Sequence, residues 1–385
     1  MTTIATDTTN PRLAAIAETV AANGRISDDD ALALLACDDL PLLGRLAEAR
    51  RYQRVPERRV TFIIDRNINY TNVCITRCKF CAFYRLPNDP EGYVLSNEEI
   101  FAKIDELRGA GGHQLLLQGG HHPGLAIDWF EGLFTAIKER YPDIHLHALS
   151  CSEIAHIARR SKLSLAETLK RLREAGLDSI PGAGAEILDD RVRDEIAPYK
   201  ESTASWLEVM REAHHQGLTT SATMMYGTVE SDAELVAHLA RLRELQDETG
   251  GFVAFIPWAF QPEHTELETA TRRGAVEYLR ILATSRIYLD NFDHLQASWV
   301  TQGEKIGQLA LFFGADDMGS TMLEENVVSA AGCTFRLGRA ELARLIERAG
   351  LEAALRDQQY RILGPASPRL CARPPADDLG GTVSG

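Results

Sequence analysis

No run of roughly 18 uncharged apolar residues occurs anywhere in the 385-residue chain, so a helical membrane span is not expected. Cysteine is scarce. Its seven positions, Cys37, Cys74, Cys78, Cys81, Cys151, Cys333 and Cys371, are odd in number and thinly spread, which argues against a disulfide framework and fits a reducing cytosol. Basic runs are missing too: 41 Lys and Arg face 55 Asp and Glu, a net charge of −14, which disfavours a nucleic-acid or anionic-lipid surface. Residues 1–20 lack a basic stretch leading into an apolar one, so no secretory leader is expected and a cytoplasmic location is. No repeat of short period is present. What remains, 45% apolar and 25% charged residues, describes a globular chain with a large core and small-molecule partners.

Three of the cysteines fall within eight residues, Cys74-Ile75-Thr76-Arg77-Cys78-Lys79-Phe80-Cys81. Thiolates are costly to hold together unless a metal neutralises them, so a C-x3-C-x2-C run reads as a metal site. A structural zinc site takes four closed ligands, and iron–sulfur clusters usually take four thiolates. Three protein ligands leave one iron open to bind a substrate or cofactor. A zinc knot completed by His121, His122 or Cys151 is an alternative, as are three cysteines buried together by chance.

Along the chain, residues 1–58 read as helical. Strand and helix then alternate. Strands are expected at Val60–Asp65, Gln114–Gln118, Ile144–Leu149, Leu177–Ile180, Thr219–Met225, Phe252–Ile256 and Leu295–Val300, with a short eighth at Phe312–Ala315. Ser96 with Glu99, Ser164 with Glu167, and Ser231 with Glu234 have the capping-box spacing of helix starts. Nearly continuous apolar strands alternating with helices predict an α/β fold, a parallel (β/α) barrel, complete or nearly complete and TIM-like. The expected segments are an N-terminal helical part at 1–58, the barrel at 59–320, a C-terminal helical extension at 321–364 and a flexible tail at 365–385.

Barrel chemistry gathers at the C-terminal ends of the strands. There the sequence places the cysteine loop, Gly119-Gly120-His121-His122, Ser150–Glu153, Gly182–Glu186, Tyr226–Glu230, Trp258–Pro262, Ser298–Gln302 and Asp316-Asp317.

The run C-x3-C-x-Phe-C resembles the signature of the radical S-adenosylmethionine (SAM) superfamily. Within it, Asp65–Asn72, Ala222–Gly227, Gly250–Trp258, Gln296–Gly303 and Asp317–Ser329 are similar to a subgroup holding two menaquinone enzymes and the deazaflavin synthases. The last two segments resemble most its ring-closing branch. The resemblance implies a radical SAM-type barrel in which Cys74, Cys78 and Cys81 hold a [4Fe-4S] cluster whose open iron binds SAM, with Phe80 beside the adenine. Reduction by an external electron donor then yields a 5′-deoxyadenosyl radical that abstracts hydrogen. It also implies a small-molecule substrate, dehypoxanthine futalosine, in which a ribose is joined through a ketone chain to a carboxyphenyl ring.

Residue by residue, Gly119 and Gly120 stand where the family holds the SAM amino group, with His121 in place of the usual acid. Ser150 and Glu153 resemble a segment near the SAM ribose. Glu186 matches a carboxylate approaching SAM, with Arg191 as companion; a surface pair is the plainer reading. Asp316, Asp317, His122 and Tyr226 are the candidates to accept the proton released when the aryl ring regains aromaticity. Their plainer readings are helix caps for the two aspartates, a loop brace for His122 and packing for Tyr226. Trp258 and Trp299 are candidates to stack on the aryl ring, with core packing an equal alternative for large aromatics at strand ends. His214 and His215 are expected to face solvent.

Overall fold

Helices begin where a side chain can satisfy the free backbone N–H groups of a first turn, and strands form where β-branched and apolar runs can be covered on both faces. The computed structural model describes residues 8–267 and 270–366. Three helices occupy the N-terminal part: α1 (Pro11–Ala21), α2 (Asp28–Leu35) and α3 (Leu40–Arg54). The chain then runs β1 (Arg59–Ile63), β2 (Asp65–Asn69), α4 (Asn97–Gly109), β3 (Gln114–Gln118), α5 (Ile127–Arg140), β4 (His145–Ala148), α6 (Cys151–Ser161), α7 (Leu165–Ala175) and β5 (Ser179–Ile180). It continues with α8 (Asp190–Ile196), α9 (Thr203–His215), β6 (Thr219–Tyr226), α10 (Asp232–Thr249), β7 (Phe252–Ala259), α11 (Ala275–Tyr288), β8 (His294–Leu295) and α12 (Trp299–Ala310). The last elements are β9 (Asp317–Ser320), α13 (Val327–Ala330), α14 (Arg339–Arg348), β10 (Glu352–Arg356) and β11 (Ile362–Pro365).

Seven strands form one parallel sheet in the order β2-β3-β4-β5-β6-β7-β8, and a second sheet has the order β11-β10-β1-β9. The two share edges. β1 leads into β2 across Ile64, while β9 pairs with β1 and meets the end of β8 through a Gln296–Asp317 bridge. Hydrogen bonds thus run round the ring, and the expected (β/α) barrel is formed. Helices α4 to α12 cover it, and Leu115, Leu117, Leu146, Ala148 and Phe255 are buried in the strands.

Two expected strands are corrected. Leu295–Val300 contains only the end of β8, because Trp299 already begins α12; Phe312–Ala315 is a turn, and the closing strand is the more polar Asp317–Ser320. The segment 321–364 is not wholly helical either. Its Glu352–Arg356 stretch pairs in parallel with β1, Arg59 opposite Glu352, and is followed by antiparallel β11. Residues 367–385 of the expected tail, Cys371 among them, lie outside the described residues. Among the described residues no helix is long and apolar enough to cross a membrane.

His214 is not a surface residue. Its ring bonds Thr249 Oγ1 at 2.6 Å and Thr220 Oγ1 at 2.8 Å, and burial lowers its pKa to about 4. His238 is fully buried, accepts a hydrogen bond from the Leu188 amide, and is lowered by burial to about 3. Both rings are neutral in the fold but protonate near pH 6.5 when unfolded, so their stabilisation is complete above pH 6.5 and is lost as pH falls toward 4. At pH 5 each forfeits about 2 kcal/mol, and the melting temperature should drop by roughly 5 °C from its pH 7 value. Burial lowers other histidines too, His121 and His147 most, so His238→Gln should remove only its own share of the acid lability in thermal melts; an unchanged slope would assign that share elsewhere.

Candidate active site

The three clustered cysteines follow β2 on a loop that leaves the barrel rim. Thr76 lies at its centre, its hydroxyl 2.9 Å from Cys74 Sγ and 3.5 Å from Cys78 Sγ, and the His121 amide donates to Cys74 Sγ at 3.3 Å. Cys74, Cys78 and Cys81 all line one cavity of about 430 Å³ at the C-terminal ends of the strands. Burial pushes the Cys78 thiol up to about 12 and raises Cys81, so as bare thiols they stay protonated at neutral pH. A thiolate here therefore needs a bound metal to stabilise it. Among the described residues no three His, Cys, Asp or Glu side chains converge closely enough to hold a single ion. The zinc knot through His121, His122 or Cys151 thus finds no convergent set among the described residues, whereas the three thiols share one cavity with room beside them for a larger inorganic core. The residues fit a [4Fe-4S] cluster.

Gly119 and Gly120 follow β3 and pass so close to the cysteine loop that only glycine fits. A Cβ on Gly119 would meet the Tyr70 ring at 2.6 Å, and one on Gly120 would meet Val73 O at 2.3 Å. Ser150 and Glu153 line the same cavity, but they form the capping box of α6. The Glu153 carboxylate accepts from the Ser150 amide and hydroxyl at 2.7 Å, from Tyr70 OH at 2.8 Å and from the Gly119 amide at 2.9 Å. With four donors it is saturated, and its work is to brace the glycine turn.

Glu186, after β5, is a buried lining residue held at φ 41°, a left-handed conformation that costs a non-glycine residue about 1 kcal/mol or more. Its Oε1 bonds Lys200 Nζ at 2.8 Å, Arg193 lies 3.8 Å away, and its Oε2 has no hydrogen-bond partner. Lys200 itself lines the cavity 5.6 Å from the centre of the Phe80 ring, which lines it too. Lys200 and Arg193 were not evident in the sequence. Arg191, the expected companion of Glu186, is instead half-exposed and bonded to Glu234 and Glu195.

The four proton-acceptor candidates do not face the cavity. Asp316 is buried against Arg286, His294 and the Leu295 amide; burial opposes its ionisation, but His294 and Arg286 outweigh that and hold it below the usual carboxylate range. Asp317 is fully buried behind the lining residue Arg356, which grips it through two bonds at 2.5 and 3.0 Å, and it also accepts from Thr61. Tyr226 lies on the wrong parity of β6: Ser221 and Thr223 line the cavity, so Tyr226 packs outward, its hydroxyl without a partner. His122 braces its loop, accepting from the Gly124 amide at 2.9 Å. Removing one partner of a buried pair costs about 3 to 5 kcal/mol. Asp317→Asn should therefore lower the melting temperature while changing turnover per folded molecule less than about tenfold, whereas loss of a proton acceptor removes about 10² to 10⁴. Rate loss without loss of stability would restore Asp317 as the acceptor.

A family model for the radical SAM superfamily matches residues 68–242, and one for the CofH/MqnC C-terminal region matches residues 249–367. The chain belongs to the radical SAM superfamily. It is 47% identical over 351 residues to cyclic dehypoxanthine futalosine synthase of Streptomyces coelicolor, spanning 90% of this chain and 88% of that one. It is 40% identical over 360 residues to aminodeoxyfutalosine synthase of Thermus thermophilus, spanning 91% and 96%. In architecture it matches the crystal structure of methylornithine synthase with a TM-score of 0.70 and 21% identity, over 88% of this chain and 97% of that one. The radical SAM model ends before β7, and the C-terminal model takes in β7, β8 and β9, which complete the ring, together with the β10–β11 pair on the other edge of β1.

Proposed function

We propose that this radical SAM enzyme converts dehypoxanthine futalosine to cyclic dehypoxanthine futalosine in menaquinone biosynthesis. The observation that carries the reading is where the two segments most like the ring-closing enzymes fall. Gln296–Gly303 and Asp317–Ser329 are far from the cysteines in sequence, yet Gln296, Ser298, Trp299, Met318, Met322 and Val328 line the cavity that Cys74, Cys78 and Cys81 also line. The higher identity to the cyclic synthase than to the aminodeoxyfutalosine enzyme points the same way.

When bound, the [4Fe-4S] cluster and SAM supply one-electron cleavage to a 5′-deoxyadenosyl radical, with the electron delivered by an external donor. The chain's own residues do the rest. Cys74, Cys78 and Cys81 are the ligands for the cluster. Lys200 and the free Glu186 Oε2 offer opposite charges to a zwitterionic amino acid, and Gly119 and Gly120 let it approach the backbone. Ile256, Trp258, Met318, Met322, Val327 and Val328 present an apolar lining that suits an aryl ring and excludes water from a carbon radical. Trp299, fully buried at the start of α12, closes that side.

The test is anaerobic incubation of reconstituted enzyme with SAM, a chemical reductant and dehypoxanthine futalosine, followed by mass spectrometry of the products. Formation of the cyclised product with 5′-deoxyadenosine is expected. Activity confined to an aminofutalosine precursor or to a tyrosine-derived substrate would overturn the reading.

A further inference from the structure

Strands of a parallel barrel normally fill its interior with Val, Ile and Leu. β2 departs from this. It reads Asp65-Arg66-Asn67-Ile68-Asn69 and lies in register with β3, Asp65 opposite Gln114, Asn67 opposite Leu116 and Asn69 opposite Gln118. Alternate residues share a face, and all six of these line the cavity. One wall is therefore polar, in contrast to the apolar lining given by β7 and the chain around β9.

A buried polar atom is costly unless it is hydrogen-bonded. Part of this wall is satisfied from within. Asp65 accepts from the Ser320 hydroxyl and, at 3.5 Å, from Gln114 Nε2, while Asn69 Oδ1 accepts from Asn326 Nδ2 at 3.2 Å. Asn67 Oδ1 and Gln114 Oε1 have no partner, although both residues are more than nine-tenths buried. A carboxylate only accepts, so Asp65 draws the Gln114 amide nitrogen toward itself and leaves Oε1 turned away. Gln114 Oε1 is held as an acceptor that needs a donor, and Asn67, whose side-chain amide makes no hydrogen bond at either end, is open to a group that donates or accepts.

We propose that Asn67 and Gln114 bind the ribose hydroxyls of the substrate and are its specificity determinants on this wall. The inference rests on the functional reading above, in which the substrate has two unlike ends. Its aryl carboxylate carries no proton to donate at neutral pH and would be repelled by Gln114 Oε1 and Asp65. Its sugar hydroxyls donate as well as accept, and they complete the hydrogen bonding of both side chains. The sugar thus lies along β2 and β3, and the ring against the apolar lining.

The experiment measures binding of dehypoxanthine futalosine and of its 2′,3′-dideoxy analogue to the SAM-loaded, unreduced holoenzyme by calorimetry. Gln114→Leu and Asn67→Ala are compared with the parent enzyme, with melting temperature and iron content as checks on folding; a variant failing either check is replaced by Gln114→Met or Asn67→Ser. Wild-type enzyme should prefer the hydroxylated ligand by at least about tenfold, and each variant should shrink that preference by about tenfold by losing affinity for the hydroxylated ligand alone. Equal weakening of both ligands, or an unchanged preference, overturns the assignment. Turnover by the wild type is measured in parallel. Cyclisation with an unchanged preference sinks this inference and leaves the functional reading standing, whereas absence of cyclisation and of binding sinks both.

Discussion

Cys78→Ala should reduce 5′-deoxyadenosine formation to background while leaving the barrel folded. The thiol is buried in a loop that departs from the end of β2, and none of the strand-to-strand registers of either sheet includes it. Removing one sulfur from such a position costs on the order of 1 kcal/mol, comparable to deleting a single methylene. The catalytic loss is far larger, because two thiolates cannot take the place of three and the cluster is lost with its ligand. Iron content, circular dichroism and 5′-deoxyadenosine yield together check the outcome. Retained SAM cleavage by the alanine variant would show that Cys78 is not a ligand.

Lys200→Met should weaken SAM binding by about 100-fold or more, the equivalent of about 3 kcal/mol. Burial acts to neutralise Lys200, but the charge of Glu186, with that of Glu201, outweighs it and keeps the ammonium protonated. That buried charge stands between the cysteine loop and Glu186, with Phe80 close by. Methionine preserves the aliphatic stem and deletes the charge, leaving Glu186 with only Arg193 at 3.8 Å. The loss should appear in the KM for SAM more than in kcat, and equilibrium binding to unreduced enzyme should reproduce it. Arg191→Met is the control. Its guanidinium is exposed and bonded to Glu234, so SAM binding should not change. Equal effects from the two substitutions would remove Lys200 from the cofactor site.

The cysteine loop was legible because its information is local: spacing alone places three thiols on one loop. Capping boxes are local too, and those at Ser96 and Ser231 are formed as their spacing implies. Ser164 bonds the Glu167 amide in the same way. Ser150 and Glu153 carry that same spacing and form a capping box as well, while both also line the cavity. Information held in tertiary pairing was not legible. Asp316 and Asp317 stand at the end of a barrel segment and look like rim acids, but their partners Arg286 and Arg356 come from α11 and β10. Lys200 comes to Glu186 from a loop beyond α8, with no periodicity to connect them. The closing strand was misplaced because Asp317-Met318-Gly319-Ser320 has little of the apolar character that marks a buried strand.

The pairing of β1 bears on how the protein is made. Arg59–Ile63 lies between β9 and β10, so both of its neighbours come from the last quarter of the described chain. At about 5 to 20 residues per second, the ribosome needs roughly 15 to 60 s after synthesising Arg59 before Glu352 follows. Until β9 is made at Asp317, a strand with Val60, Phe62 and Ile63 has no mate, a condition that favours association with other nascent chains. An unmated apolar strand is prone to aggregate, so soluble yield should rise when the chain is made at lower temperature.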